Sequence, residues 1–61
     1  MEVYELIELL EITDELKTDE IRNRIFDYWR EQYDGQTPDT IIEDIADSWM
    51  PSVLDYLKEN Y

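Results

Sequence analysis

The side chains able to do chemistry in this chain are almost all carboxylates. Asp and Glu number seventeen against five Lys and Arg, and both His and Cys are absent, which gives a formal net charge of −12 over 61 residues. Two carboxylates at working distance can serve as acid and base, but among this many acids such pairs arise by chance. Thr13, Thr18, Thr37, Thr40, Ser48, Ser52 and the tyrosines supply hydroxyls, and no base of suitable pKa stands beside them. Without His or Cys there is no disulfide framework and no zinc site of the usual ligands. A single glycine rules out a phosphate-binding glycine loop. Asp39, Glu43, Asp44 and Asp47 fall on neighbouring turns of one predicted helix and could attract a hard cation. A calcium loop instead alternates acids around a glycine, which Asp34-Gly35-Gln36-Thr37 does not do, so a solvated acidic face is the simpler reading. The chain therefore reads as a protein that is not an enzyme, with no cofactor and no bound metal.

What remains is the charge. Small soluble domains carry net charges of magnitude about 2–8, so −12 exceeds what solubility asks and destabilises the compact state by self-repulsion. A phosphate backbone would be repelled, which argues against direct nucleic-acid binding, and an anionic membrane surface would be repelled likewise. No apolar run approaches the roughly 20 residues of a bilayer span, and the start Met1-Glu2 lacks the basic stretch of a secretory signal. Absence of cysteine fits a reducing cytoplasm, the expected location. The spacing is informative too. Glu2, Glu5, Glu8 and Glu11 recur every third residue, which on a helix is one charge per about 4.5 Å of axis. One strand of B-DNA carries a phosphate per about 3.4 Å. The two linear densities are similar.

The elements that must carry these acids are helical throughout. Apolar residues at Val3, Leu6, Ile7 and Leu10 predict a helix from Glu2 to Ile12, extendable to Leu16. Thr13-Asp14-Glu15-Leu16 is echoed by Thr18-Asp19-Glu20-Ile21. The first reads as a turn, and Thr18 as the cap of a second helix over Asp19–Tyr33, with Ile21, Ile25, Tyr28, Trp29 and Gln32 on its buried stripe. Asp34-Gly35 stops that helix. Thr37-Pro38-Asp39 starts a third, with Thr37 as cap and Pro38 at the first helical position, and Ile41, Ile42, Ile45, Ala46 and Trp49 form its apolar face. Pro51 predicts a break near Ser48–Met50, then a last helix from Pro51 to Asn60. The fold class is all-α, a compact bundle of three to four short amphipathic helices in one acidic domain spanning residues 1–61. Leu6, Leu10, Ile25, Trp29, Ile45, Trp49 and Leu57 are the expected core. Tyr4, Tyr33, Tyr56 and Tyr61 are expected at least partly in solvent.

The run Ile41-Ile42-Glu43-Asp44-Ile45-Ala46-Asp47-Ser48-Trp49-Met50-Pro51, followed by Asp55, resembles a segment of the Ocr-like phage DNA-mimic anti-restriction proteins. In that family an acidic helix ends in an Ala-Asp-small-x-aliphatic-Pro turn and a second acidic helix follows. Ala46, Asp47, Ser48, Met50 and Pro51 occupy the matching positions. The aromatic-bearing Ile25-Phe26-Asp27-Tyr28-Trp29 before an Asp-rich link is loosely similar as well. The resemblance implies an all-helical, dimeric, phosphate-mimicking inhibitor of restriction enzymes and related DNA-binding defence machinery. By position it supports Asp47 and Asp55 as phosphate surrogates; Glu43 and Asp44 follow by charge alone.

The expected function is that of a phage-type DNA mimic that occupies the DNA-binding groove of a basic DNA-binding host protein, in the host cytoplasm. The expected contact set is Glu5, Glu8, Glu11, Asp14, Glu15, Asp19, Glu20, Asp39, Glu43, Asp44, Asp47, Asp55 and Glu59. The alternative is a small acidic helical interaction module, antitoxin-like or transcription-regulator-like, that binds its partner through an apolar groove. A designed mini-protein is opposed by the tyrosine-rich composition and one-signed charge. The helices carry more apolar surface than so small a monomer readily hides, which leaves room for a homodimer. A homodimer would sediment at micromolar concentration as a species heavier than the 7.5 kDa chain; a 7.5 kDa species removes the dimer.

Overall fold

Apolar residues recur at helical intervals in three stretches, and each stretch becomes one helix. A computed structural model describes residues 1–61: α1 (Val3–Leu10), α2 (Thr18–Gln32) and α3 (Asp39–Asn60), with no strand. The bundle therefore has three helices, not four. Several of the expected boundaries move.

Helix α1 ends two residues before Ile12. Glu11 adopts a left-handed backbone at φ 55°. The Ile12 amide then donates to the Ile7 carbonyl at 3.1 Å and the Glu11 amide to the Glu8 carbonyl at 3.4 Å. These two bonds make a Schellman closure, whose usual apolar contact joins the residues at its two ends. Here those residues are Ile7 and Ile12, both buried. Ile12 thus enters the core from the turn rather than from the helix. Thr13–Leu16 forms the expected turn, with the Leu16 amide on the Thr13 carbonyl at 3.2 Å.

Helix α2 begins at Thr18, with Lys17 at the cap position in extended conformation, so Thr18 opens the helix rather than capping it. It ends as expected around Asp34-Gly35, which turn left-handed at φ 52° and 71°. Pro38 likewise precedes α3 instead of opening it, no side chain caps the helix, and its carbonyl accepts from the Ile41 and Ile42 amides at 3.0 and 3.3 Å.

The larger correction is at Pro51. Helix α3 runs through it without a break for 22 residues, about 33 Å. The expected turn and separate last helix are absent, and the segment that resembles the DNA-mimic family is one continuous helix. The reason lies in the stripe Ile42, Ala46, Trp49, Val53, Leu57, spaced by three and four residues on both sides of the proline. All are buried save Trp49, which is half-buried. Breaking the helix would throw Val53 and Leu57 out of phase with Ile42 and Ala46. Pro51 itself is exposed, so the Asp47 carbonyl that loses its amide partner faces water.

Helices α2 and α3 make the most extensive contact, and α1 lies across them, chiefly on α3. Arg22 pairs with Asp47 and Arg30 with Asp39, so α2 and α3 run antiparallel. Nine residues are buried, all apolar: Leu6, Ile7, Ile12, Ile21, Ile25, Ile42, Ala46, Val53 and Leu57. Of the expected core, Leu6, Ile25 and Leu57 are there, while Leu10, Trp29, Ile45 and Trp49 are only half-buried; Gln32, expected to continue the α2 stripe, is exposed. Trp29 lies 5.8 Å from Trp49, 5.0 Å from Tyr28 and 6.5 Å from Tyr33, ring centre to ring centre. Its indole N–H is buried without an acceptor. Tyr4, Tyr33 and Tyr61 are exposed and Tyr56 is half-buried.

A proline inside a helix costs about 3 kcal/mol relative to alanine. Replacing Pro51→Ala is therefore expected to stabilise the fold by about 1–3 kcal/mol, or several degrees in Tm for a domain of this size. Urea or thermal unfolding measures it. A helix boundary at Pro51 would give no gain, because proline is favoured at a first helical position.

Candidate functional site

A chain with seventeen acids must keep them wet, because burying an unpaired carboxylate costs several kcal/mol. The fold does so without exception: no charged or polar residue is buried. All thirteen expected contact residues are exposed. They differ in what else they touch. Glu5 is partly engaged, accepting the Glu2 amide at 3.4 Å on Oε2 and the Tyr4 hydroxyl at 3.3 Å on Oε1. Asp47 accepts Arg22 Nε at 2.6 Å and Arg22 Nη2 at 3.4 Å. Asp39 lies 3.6 Å from Arg30 Nε. The carboxylates of the other ten (Glu8, Glu11, Asp14, Glu15, Asp19, Glu20, Glu43, Asp44, Asp55 and Glu59) have no hydrogen-bonding or ion-pair partner.

The positions of the acids follow from the three helices. Glu2, Glu5 and Glu8 gather around Tyr4, where the charge of Glu5 foremost, then its hydrogen bond, raises the phenol above its ordinary pKa. Asp19 from α2 and Glu43 and Asp47 from α3 surround Arg22 and raise its pKa, the Asp47 hydrogen bond contributing most. That face is the one place where expected contact residues from two helices are seen to act on a common group. The four acids Asp39, Glu43, Asp44 and Asp47 do not converge, and no three carboxylates are placed to hold a cation.

The arginines explain how the acids are arranged. Three of the five cations are internal staples. Arg22 and Arg30 tie α2 to α3. Arg24 reaches α1, donating from Nη1 to the Leu10 carbonyl at 2.7 Å and the Glu11 carbonyl at 3.2 Å. Helix α1 has no basic residue in its last turn, and its terminal carbonyls carry the negative end of the dipole. Arg24 supplies that charge from the neighbouring helix. Lys17 and Lys58 are the only cations left without such a bond.

A groove of about 380 Å³ opens between α1 and α2. Leu9, Leu10 and Tyr28 form its apolar lining; Glu11, Asp27 and Glu31 are its acids, and Arg24 also lines it. Only Glu11 belongs to the expected contact set. Asp27 and Glu31 were missed, although Arg24, Asp27, Tyr28 and Glu31 stand at i, i+3, i+4, i+7 and so share one flank of α2. A second, smaller hollow of about 250 Å³ lies at the start of α1, against Ser48, Trp49 and Ser52.

No family model, curated protein or solved structure matches the chain. No helix is long and apolar enough to cross a membrane.

The Arg22–Asp47 pair makes a checkable statement about acid. Its hydrogen bond, foremost, and the Arg22 charge hold Asp47 below the ordinary carboxyl value of 3.8 against an opposing desolvation. A lowered folded-state pKa contributes stability that is present above the unfolded value and lost as pH falls through the folded one. Carboxyl-carbon NMR titration is expected to show Asp47 protonating below that value, and Arg22→Met is expected to return it upward. Because Arg22 is half-buried and Asp47 exposed, with water reaching both side chains, solvent screening keeps the effect on unfolding small.

Proposed function

We propose that the protein is a DNA mimic of the phage type, an inhibitor that occupies the basic DNA-binding groove of a host defence enzyme of the restriction–modification kind or one like it. The observation that carries this reading is the exposed, largely unpartnered set of carboxylates on a rod. The Cα trace measures 36 × 18 × 16 Å. Its length is that of one turn of B-DNA, about 34–36 Å. Over that length the net charge of −12 amounts to about one negative per 3 Å, between the duplex value of about 1.7 Å and the single-strand value of about 3.4 Å.

The mechanism is competition. Lysines and arginines that hold phosphates in the target meet carboxylates fixed on helices, which need little reordering to bind. No bond is made or broken. Arg22, Arg24 and Arg30 serve the reading by their placement, since they join helices to one another and leave the outward acids uncompensated. The likeness of residues 41–55 to the Ocr-like proteins adds support through composition and the positions of Asp47 and Asp55, not through a helix–turn–helix shape. Asp47 is the weaker of the two surrogates because Arg22 already holds it; Asp55 is free.

The test is capture of the partner from lysate of a host cell at low salt, followed by challenge with duplex DNA. Duplex is expected to release the partner, salt is expected to weaken binding steeply as in charge-dominated association, and the triple change Glu5→Gln, Glu8→Gln, Glu11→Gln or the pair Glu43→Gln, Asp55→Asn is expected to weaken it further. A partner that stays bound in excess duplex, with affinity indifferent to salt, overturns the reading.

A further inference from the structure

Helix α1 is about 12 Å long and α3 about 33 Å, at 1.5 Å per residue. One short helix cannot cover the whole α2–α3 hairpin. Where α1 stops, at Leu9 and Leu10, its flank against α2 is left open as the groove lined by Tyr28. Leu9 is 57% exposed, the most exposed aliphatic side chain other than terminal residues. An exposed leucine alone is ordinary. This one stands at a concave apolar patch with three carboxylates, Glu11, Asp27 and Glu31, none of which has an ion-pair or hydrogen-bond partner. The one cation in the groove, Arg24, has its guanidinium turned to the Leu10 and Glu11 carbonyls.

We infer that this groove takes an aliphatic side chain from a lysine- or arginine-bearing segment of the target protein, whose flanking cations meet Glu11, Asp27 and Glu31. The inference rests on the proposed function only in taking the target to be basic. Charge decides between occupants. A second copy of this chain would bring another −12 to an acidic rim, and three of its five cations are already committed to its own helices. A cationic segment is attracted by the same rim. Spread charge of this kind steers a partner and speeds its approach, whereas a desolvated apolar anchor fixes register and slows departure. The carboxylate surface would be common to any mimic of a polyanion, and the groove would select among basic partners.

Two peptides of about ten residues probe this: one of lysines with a central Leu-Leu pair, the other identical but with Ala-Ala. Each is titrated into the 15N-labelled full chain and followed by amide shifts. The leucine peptide is expected to bind about tenfold more tightly, as burial of an aliphatic side chain predicts, with its largest shifts at Leu9, Leu10 and Tyr28. Leu9→Asn is expected to abolish that preference, and its exposed position leaves the core untouched. Equal affinity for the two peptides overturns the groove while leaving the polyanion reading standing. So do shifts centred on Asp19 and Glu43 instead, or peptide-free dimerisation that moves the same amides. Failure of both peptides to bind in a salt-sensitive manner sinks the polyanion reading itself.

Discussion

The structure depends on one stripe of side chains, Ile42, Ala46, Trp49, Val53 and Leu57, that stays in phase along α3. Nine residues make up the entire buried set, and four of them lie on this stripe. Helix α2 lies antiparallel against it and α1 rests chiefly on α3, so both hide most of their apolar faces there. A domain of this size gains only about 3–5 kcal/mol from its core, so each of these contacts matters. That is why the helix accepts Pro51. Losing one backbone hydrogen bond on the watery side costs less than taking Val53 and Leu57 away from Ile21, Ile25 and Leu6, with which they share the core.

The second constraint is electrostatic, and it works against the first. Twelve uncompensated negatives push the helices apart. The fold meets this with three arginines, all on α2. Arg22 and Arg30 bind α3, and Arg24 binds the carbonyl end of α1. An exposed ion pair is worth little in an ordinary protein. Here each pair also removes one carboxylate, or one helix end, from the pool of like charge, and it does so at a helix–helix seam. The same economy leaves the outward surface almost purely anionic. Stability and surface character thus have a common cause: the few cations are used between helices.

Much of this was legible in the residue order. Periodicity located α2 to within one residue at each end, and Asp34-Gly35 marked its stop because only a left-handed pair fits there. The exposure of the acids could be read directly, since a carboxylate without a cationic neighbour has nowhere else to go. Other features were not legible. Glu11 carries no mark of a helix end, glycine being the usual residue at a left-handed position; what ends α1 is the reach of Ile12 back to Ile7, a contact visible only once the turn has formed. Pro51 carries a mark that points the wrong way. Proline is a local breaker, and the stripe that overrules it is spread over 16 residues, from Ile42 to Leu57. Asp27 and Glu31 gain meaning only from the place where α1 happens to end. At Pro51 and beside the groove, tertiary contact overrides local chemistry.

That last point bears on how a polyanionic surface can be selective. Carboxylates on three short helices attract any basic protein, and attraction of this kind distinguishes poorly among lysine-rich grooves. Discrimination has to come from shape, and shape in so small a bundle comes from incomplete coverage. Had α1 been as long as α3, it would have closed the flank of α2 beside Tyr28 and made a smoother rod. The early stop at Glu11, forced by the Schellman closure and held by Arg24, leaves Leu9 in solvent beside unpaired acids. The device that seals the end of α1 is therefore also the one that opens the groove, and the two cannot be varied independently. In this fold the features that hold the helices together also decide where the surface departs from a plain rod of charge.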